Sequence, residues 1–435
     1  MLETLIYIAA ALIAIGVPVL YISLEKRKSA RAAETLRKAI ERGLDEPVSL
    51  HPYIDPAICI GTAACVVACP EVNVLGLIDN RGRLINPAKC IGHGLCQAAC
   101  PVDAITLVFG TDKRGVDIPY IKGNFETNVP GVFIAGELGG MGLIRNAVTQ
   151  GKEAAHFIAE NLREQRSAEV LDLIIIGAGP AGVAAALQAK LERLNFLLLD
   201  QEDLGGTILS YPRQKLVMTQ PMELPLYGKV SAREIRKEQL IDIFTDVFAK
   251  TGLRVQSGEK VESVERAEQV FRIISTRGKY VTRRVLLAIG RRGSPRKLGV
   301  PGEKSDKVSY RLLDPEKFHD QHILVVGGGD SAVEAALALA EQPGTTVHLS
   351  YRREGLFRIK EGNERKITEA FKLRMVVPLF NSAVTQIEKN EVILEQQERK
   401  VVLPNHYIFV FAGGELPADF LKKIGIEFTR KFGQA

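Results

Sequence analysis

Leu171-Asp-Leu-Ile-Ile-Ile-Gly-Ala-Gly-Pro-Ala-Gly182 is the stretch whose reading decides the fold. An apolar, β-branched run feeds Gly177, Gly179 and Gly182, and the Ala-rich residues 183–190 follow. The pattern predicts a strand, a tight turn and a helix. Gly177 permits the turn, Gly179 lets the backbone approach a pyrophosphate, and Gly182 lets the helix pack close to its strand. Pro180 and Ala181 open that helix, whose N-terminus faces the phosphates. A second strand, residues 196–199, ends at Asp200. An acid about 20 residues beyond such glycines suits a ribose hydroxyl. The bland alternative is a glycine-rich turn without a ligand, and the complete strand–turn–helix–strand–acid context argues against it.

The chain has 435 residues, enough for about three domains. Its basic excess is concentrated near the N-terminus, and no aromatic residues interleave with it as a nucleic-acid partner would require. All six cysteines lie between Cys59 and Cys100. Clustering of that kind in an otherwise cysteine-free chain argues for metal rather than a secreted disulfide framework.

Upstream, residues 4–24 carry no charge and are long enough for a hydrocarbon core. Lys26, Arg27, Lys28, Arg31, Arg37, Lys38 and Arg42 follow, and only Glu3 precedes. The bias predicts a single-pass transmembrane helix over residues 1–25, a juxtamembrane linker over 26–50, and soluble domains on the cytoplasmic side of the inner membrane. A signal peptide would want the opposite order of charge.

Cys59-Ile-Gly-Thr-Ala-Ala-Cys65-Val-Val-Ala-Cys69-Pro70 and Cys90-Ile-Gly-His-Gly-Leu-Cys96-Gln-Ala-Ala-Cys100-Pro101 are two copies of one unit. Each matches C-x2-C-x2-C-x3-C-P except at the second position, which holds Thr62 in the first copy and His93 in the second. In that pattern the last cysteine of each run ligates the other iron–sulfur cluster. The expected sets are Cys59, Cys65 and Cys100 for one cluster, and Cys69, Cys90 and Cys96 for the other. His93 is either a fourth ligand or a surface histidine; Thr62 is a poor ligand, so the first cluster is 3Fe-4S or takes a non-protein fourth ligand. A zinc site is the rival, against which the spacing speaks. Residues 55–109 resemble dicluster ferredoxins.

Glu126-Thr-Asn-Val-Pro-Gly-Val-Phe-Ile-Ala-Gly-Glu137 reads as a strand ending in Gly-Glu, and Leu143-Ile-Arg-Asn-Ala-Val-Thr-Gln-Gly-Lys-Glu-Ala-Ala155 as a helix. Together they resemble the last flavin-contacting segment of the thioredoxin-reductase-like pyridine nucleotide oxidoreductases. In that family the segment is C-terminal, whereas here it precedes the glycine fingerprint, so the chain looks circularly permuted, with residues 162–169 as the new join. The resemblance implies FAD contacts at Gly136, Glu137 (in place of the family's Asp), Arg145, Asn146 and Ala147. It adds Gly205, Gly206 and Thr207 beside the flavin, and Gly290 at the end of Val285-Leu-Leu-Ala-Ile-Gly290. The tail Phe411-Ala-Gly-Gly-Glu-Leu-Pro417 also matches a late family segment.

A second fingerprint, His322-Ile-Leu-Val-Val-Gly-Gly-Gly-Asp-Ser-Ala332, places Gly327, Gly329, Asp330, Ser331 and Ala332 at a second dinucleotide. Its second strand ends in Tyr351-Arg352-Arg353, without an acid. Arginine at that tip accommodates a 2′-phosphate, so NADPH is favoured over NADH unless the pair is only a solvated turn. Low-molecular-weight thioredoxin reductases carry C-x-x-C just before this fingerprint, but here the region reads Ser309-Tyr-Arg-Leu-Leu-Asp314. The chain is thus more similar to the thiol-free members, the ferredoxin–NADP reductases and bacillithiol disulfide reductases of that type.

The predicted architecture is α/β: two Rossmann-like domains, a small α+β dicluster ferredoxin domain and the N-terminal transmembrane helix. Boundaries fall at 51–110 for the ferredoxin domain, 111–298 for the FAD domain, 299–410 for the NAD(P) domain and 411–435 for a return segment. The expected function is electron transfer between NADPH and a one-electron acceptor (ferredoxin, quinone or membrane redox partner) through FAD and two iron–sulfur clusters, 4Fe-4S or 3Fe-4S. No acid/base or nucleophilic residue is required. The alternatives are a low-molecular-weight disulfide reductase using FAD alone, and a non-catalytic redox sensor or assembly subunit. A homodimer is left open.

Overall fold

The computed structural model describes residues 2–47, 50–112, 115–140, 142–162, 170–211, 216–218, 221–231, 234–291, 294–357, 359, 361–415 and 417–433. The chain divides into two compact units, Met1–Val116 with Lys431–Ala435, and Asp117–Arg430.

The first unit opens with one helix, α1 (Leu2–Glu41), which passes through Pro18 without interruption. Good helix formers continue past the point where the charge begins, so the backbone does not register the predicted boundary at residue 25. The helix ends where Gly43 turns to φ 61°, with Gly43 N–H donating to Ile40 O (2.9 Å) and Leu44 N–H to Ala39 O (2.8 Å), a Schellman cap. Its basic half is therefore no linker. Ala32 and Ala39 are buried, and the Asp79 N–H donates to Ser29 Oγ at 3.1 Å, so this half packs on the cysteine-bearing fold. The transmembrane assignment needs correction too. Among the described residues no helix is long and apolar enough to cross a membrane.

The remainder of this unit pairs β1 (His51–Ile54) antiparallel with β4 (Ile105–Val108), and β2 (Leu75–Ile78) with β3 (Arg81–Leu84). Asp79 and Asn80, at φ 49° and 56°, form the tight turn between β2 and β3. Two short helices, α2 (Ala64–Ala68) and α3 (Leu95–Ala98), follow the two cysteine loops.

β5 (Val116–Pro119) falls at the boundary in sequence, and the second unit continues with β6 (Val132–Ile134) and α4 (Ile144–Leu162). The fingerprint then forms β7 (Leu171–Ile176), α5 (Pro180–Leu191) and β8 (Phe196–Leu199), as its pattern predicts. The first sheet runs Val261–Ala267, Val270–Ser275, Lys279–Leu287, β7, β8. β6 joins it in parallel beside Lys279–Leu287, Val132 opposite Val285. The segment that precedes the fingerprint in sequence thus completes the sheet that the fingerprint builds. Of the expected join at 162–169, residues 163–169 lie outside the described residues.

A second, all-parallel sheet runs Val308–Ser309, Tyr407–Val410, His322–Val326, Thr346–Tyr351, Val376–Phe380, with helix Asp330–Ala340 after its fingerprint. Ser382–Ile387, Glu391–Gln396 and Arg399–Pro404 form a separate three-stranded antiparallel sheet. The return segment, Ala418–Ile424 and beyond, buries Leu421 and Ile426 against Val132, Ile134 and Ile174 of the first sheet. The Asn128 amide fixes it by donating to Gly425 O (2.8 Å) while its Oδ1 accepts from Glu427 N (2.9 Å).

Candidate redox centres

The two cysteine loops fold alike. Each sets two residues in the left-handed region before its short helix: Gly61 (φ 74°) and Ala63 (φ 60°) in the first, Gly92 (φ 76°) and Gly94 (φ 77°) in the second. One cavity is lined by Cys59, Cys65 and Cys100, with Thr62, Ile54 and Ile105. A second is lined by Cys69, Cys90 and Cys96, with His93, Val74 and Leu75. The last cysteine of each run crosses to the other loop's cavity. Burial pushes the Cys90 and Cys96 thiols up to about 11 and raises Cys65 and Cys69 as well. Thiolates in such apolar surroundings need a compensating cation, which a metal centre supplies. Among the described residues no three His, Cys, Asp or Glu side chains converge as ligands of a single ion must. A multi-iron cluster takes one cysteine per iron and requires no such convergence. Cys59 and Cys100 are already sulfur acceptors, from Gly82 N and Ala104 N, both at 3.3 Å. The donor set fits two clusters.

At the first fingerprint the three glycines are distinguished by what a Cβ would meet. On Gly177 (φ 108°) it would lie 2.5 Å from Ala288 O, and on Gly182 1.8 Å from Gly177 O, whereas on Gly179 nothing stands within 4 Å. The open position is the one a pyrophosphate would approach, at the N-terminus of α5. Around it the chain gathers Gly206, whose Cβ would sit 3.3 Å from Gly179 Cα, and Gly205, whose N–H donates to Ala178 O at 2.9 Å. Gly290 faces Thr207 Oγ1. The permuted segment meets the same corner. A Cβ on Gly136 (φ 85°) would lie 3.0 Å from Ala181 Cβ and 3.6 Å from Ala147 Cβ, and one on Gly151 would lie 2.0 Å from Ala181 O. Gly136 N–H donates to Gln150 Oε1 at 2.8 Å. Glu137 starts a short turn after Gly136, and Arg145, Asn146 and Ala147 lie in the first turn of α4.

Asp200, expected beside a ribose hydroxyl, follows β8 next to the glycine turn. It is buried, and its Oδ2 accepts from Ala178 N (2.6 Å) while Oδ1 accepts from Glu202 N (2.7 Å). Burial raises its pKa against the pull of those two donors. The carboxylate thereby braces the glycine turn.

The second fingerprint repeats the scheme. A Cβ on Gly327 would lie 2.6 Å from Phe411 O, and Gly329 is open. Asp330 Oδ1 accepts from Asn363 Nδ2 at 2.7 Å, and Ser331 and Ala332 lie in the first turn of the helix. Arg352 is exposed and Arg353 half-buried at the end of Thr346–Tyr351, and neither has an ion-pair partner among the described residues. Sequence reasoning missed the ion pair between Glu202 and Arg311, which links the two nucleotide-binding halves. Nothing in the spacing of residues so far apart announces it.

Residues 174–433 match a family model described as pyridine nucleotide-disulphide oxidoreductase, and residues 51–101 match a 4Fe-4S dicluster domain. A ferredoxin–NADP reductase of Ignicoccus hospitalis is 28% identical over 60% of this chain and 83% of its own length. Bacilliredoxin reductase Bdr of Bacillus subtilis is 27% identical over 60% and 82%, and a thioredoxin reductase of Peptoclostridium acidaminophilum 32% over 57% and 73%. Among solved structures, the bacillithiol disulfide reductase Bdr (YpdA) of Staphylococcus aureus is similar with a TM-score of 0.54 at 26% identity, over 59% of this chain and 80% of that one. Fold and site together define a two-nucleotide flavin-type oxidoreductase carrying an iron–sulfur domain. The chain belongs to the pyridine nucleotide-disulphide oxidoreductase family, as an FAD-dependent NAD(P)H oxidoreductase with a 4Fe-4S dicluster domain near its N-terminus.

Proposed function

We propose that this enzyme moves electrons between NADPH and a one-electron acceptor, with FAD and two iron–sulfur clusters on the same chain. The observation that carries the reading is the placement of thiols: all six line the two cavities of the first unit, and the sequence of the second unit contains no cysteine. When bound, the nicotinamide supplies a hydride, the flavin can part with two electrons singly, and each cluster carries one. The chain's own residues have simpler tasks. Gly177, Gly179 and Gly182 hold the helix terminus against phosphate, Asp200 braces that turn, and Gly136 and Ala147 bring α4 against it. Arg352 and Arg353 stand where a 2′-phosphate is recognised, which supports NADPH over NADH. The ferredoxin–NADP reductase named among the relatives supports an acceptor of the ferredoxin kind.

The exposed apolar side chains of α1, from Leu12 through Leu24, followed by Lys26, Arg27 and Lys28, support anchorage at a lipid surface with the folded units on the cytoplasmic side. Deleting residues 1–24 is expected to release the protein from the membrane fraction. Full retention would remove that part of the reading.

In anaerobic rapid mixing, NADPH should bleach the flavin first and the cluster absorbance afterwards. Cys96→Ser should abolish one-electron acceptor reduction and spare flavin reduction. The second reading is a low-molecular-weight disulfide reductase, favoured by the bacilliredoxin and bacillithiol reductases among the relatives. Undiminished acceptor turnover by Cys96→Ser would favour it.

A further inference from the structure

The two cysteine loops share one backbone conformation and differ in the side chain at its centre, Thr62 in one and His93 in the other. His93 lines the cavity of Cys69, Cys90 and Cys96. Its side chain is only 10% exposed, and its Nε2 is buried without a hydrogen-bond partner. The nearest acceptor, Glu71 Oε1, stands 3.8 Å away, beyond hydrogen-bonding reach. A buried ring nitrogen without a partner is rare in native folds and asks for an explanation, an absent metal among them. Thr62 lines the other cavity, but its hydroxyl is engaged locally, accepting from Ala64 N at 3.4 Å.

We propose that His93, through Nε2, is the fourth protein ligand of the cluster held by Cys69, Cys90 and Cys96, and that the cluster held by Cys59, Cys65 and Cys100 has no fourth protein ligand. This rests on the reading of the six thiols as holders of two clusters. The consequence is a chemically unequal pair. A neutral imidazole in place of a thiolate leaves that centre with one negative charge fewer than a four-cysteine cluster would carry, so its reduced form is favoured and its potential lies above that of the His93→Cys variant. The other centre has one iron that no side chain secures, and that iron is the first to leave on oxidation.

The test uses full-length protein, reconstituted anaerobically with iron and sulfide after growth on 15N-histidine. Pulsed electron paramagnetic resonance of the dithionite-reduced protein should show histidine nitrogen coupled to one cluster. His93→Ala should lose that coupling. His93→Cys, which keeps a ligand and so guards against misfolding, should keep its iron, lose the coupling and lower that cluster's potential. Ferricyanide should remove roughly one iron per chain from the wild type with a three-iron signal, and none from Thr62→Cys. Iron-replete wild type without histidine coupling overturns the ligand assignment, and equal iron loss from Thr62→Cys overturns the open site. Wild type that takes up no iron would instead defeat the reading on which both rest.

Discussion

The two glycine fingerprints of this chain use one turn to different ends. Gly177 and Gly327 each abut a carbonyl at the end of the neighbouring strand, Ala288 O and Phe411 O, and Gly179 and Gly329 each leave open space at a helix N-terminus. The third position separates them. Gly182 has the Gly177 carbonyl where its Cβ would be, whereas the second helix accommodates Ala332. The first helix is also pressed from its other side by α4 through Gly151. The strand that follows ends in a buried acid in the first case and in arginines, one of them exposed, in the second. One fingerprint is locked between three neighbours, as suits a resident flavin; the other is open, as suits a nucleotide that comes and goes.

Four substitutions would break or sharpen that contrast. Gly182→Ala should do most damage, about 3 kcal/mol or more, because the obstructing atom is backbone and cannot move aside. Flavin retention and the denaturation midpoint report it. The converse change at the other site, Ala332→Gly, should cost about 1 kcal/mol through helix propensity alone. Equal losses at the two sites would erase the distinction. Gly151→Ala comes next, since its Cβ would lie 2.0 Å from Ala181 O. It should separate α4 from α5, lowering FAD affinity at least about tenfold while NADPH binding, read by calorimetry, stays near wild type. Arg352→Glu should raise the KM for NADPH by about 10- to 100-fold, a charge-assisted phosphate contact being lost, with little change for NADH. Parallel changes for both nucleotides would show that the arginine is only part of a solvated turn.

The smallest effect concerns pH. Thr346–Tyr351 lies within the second sheet, and burial, with His322 nearby, holds His348 below its ordinary value. The folded protein thus binds fewer protons there than the unfolded chain. The resulting stability is complete above the unfolded value of about 6.5 and is lost as pH falls below it. Denaturation midpoints from pH 7.5 to 5.5 should decline with a slope contribution under about 1.4 kcal/mol per unit that His348→Gln removes. The equivalent strand of the first sheet, Phe196–Leu199, has no such group and should add none.

Legibility followed the range of the contacts involved. The glycine turns and the paired cysteine runs could be read because each depends on neighbours a few residues away. The boundary at residue 25 could not. Charge changes there, but helix propensity does not, and the burial of Ala32 depends on the close approach of Gly76, far along the chain. Asp200 was found by its distance from the glycines, yet only coordinates could reveal that two backbone N–H groups already occupy its oxygens. Glu202 and Arg311 had no local signal at all.

By itself, the sequence determined that two nucleotide turns and a twin cysteine repeat exist, since turn geometry and ligand spacing are written in adjacent residues. Only the tertiary structure decided that β6 pairs beside Lys279–Leu287, Val132 opposite Val285, and that Gly151 seats α4 against Ala181. It also left the His93 nitrogen buried beside three thiols. Those outcomes depend on packing between segments far apart in the chain, where side-chain volume and solvent exclusion choose among arrangements that local chemistry leaves equal.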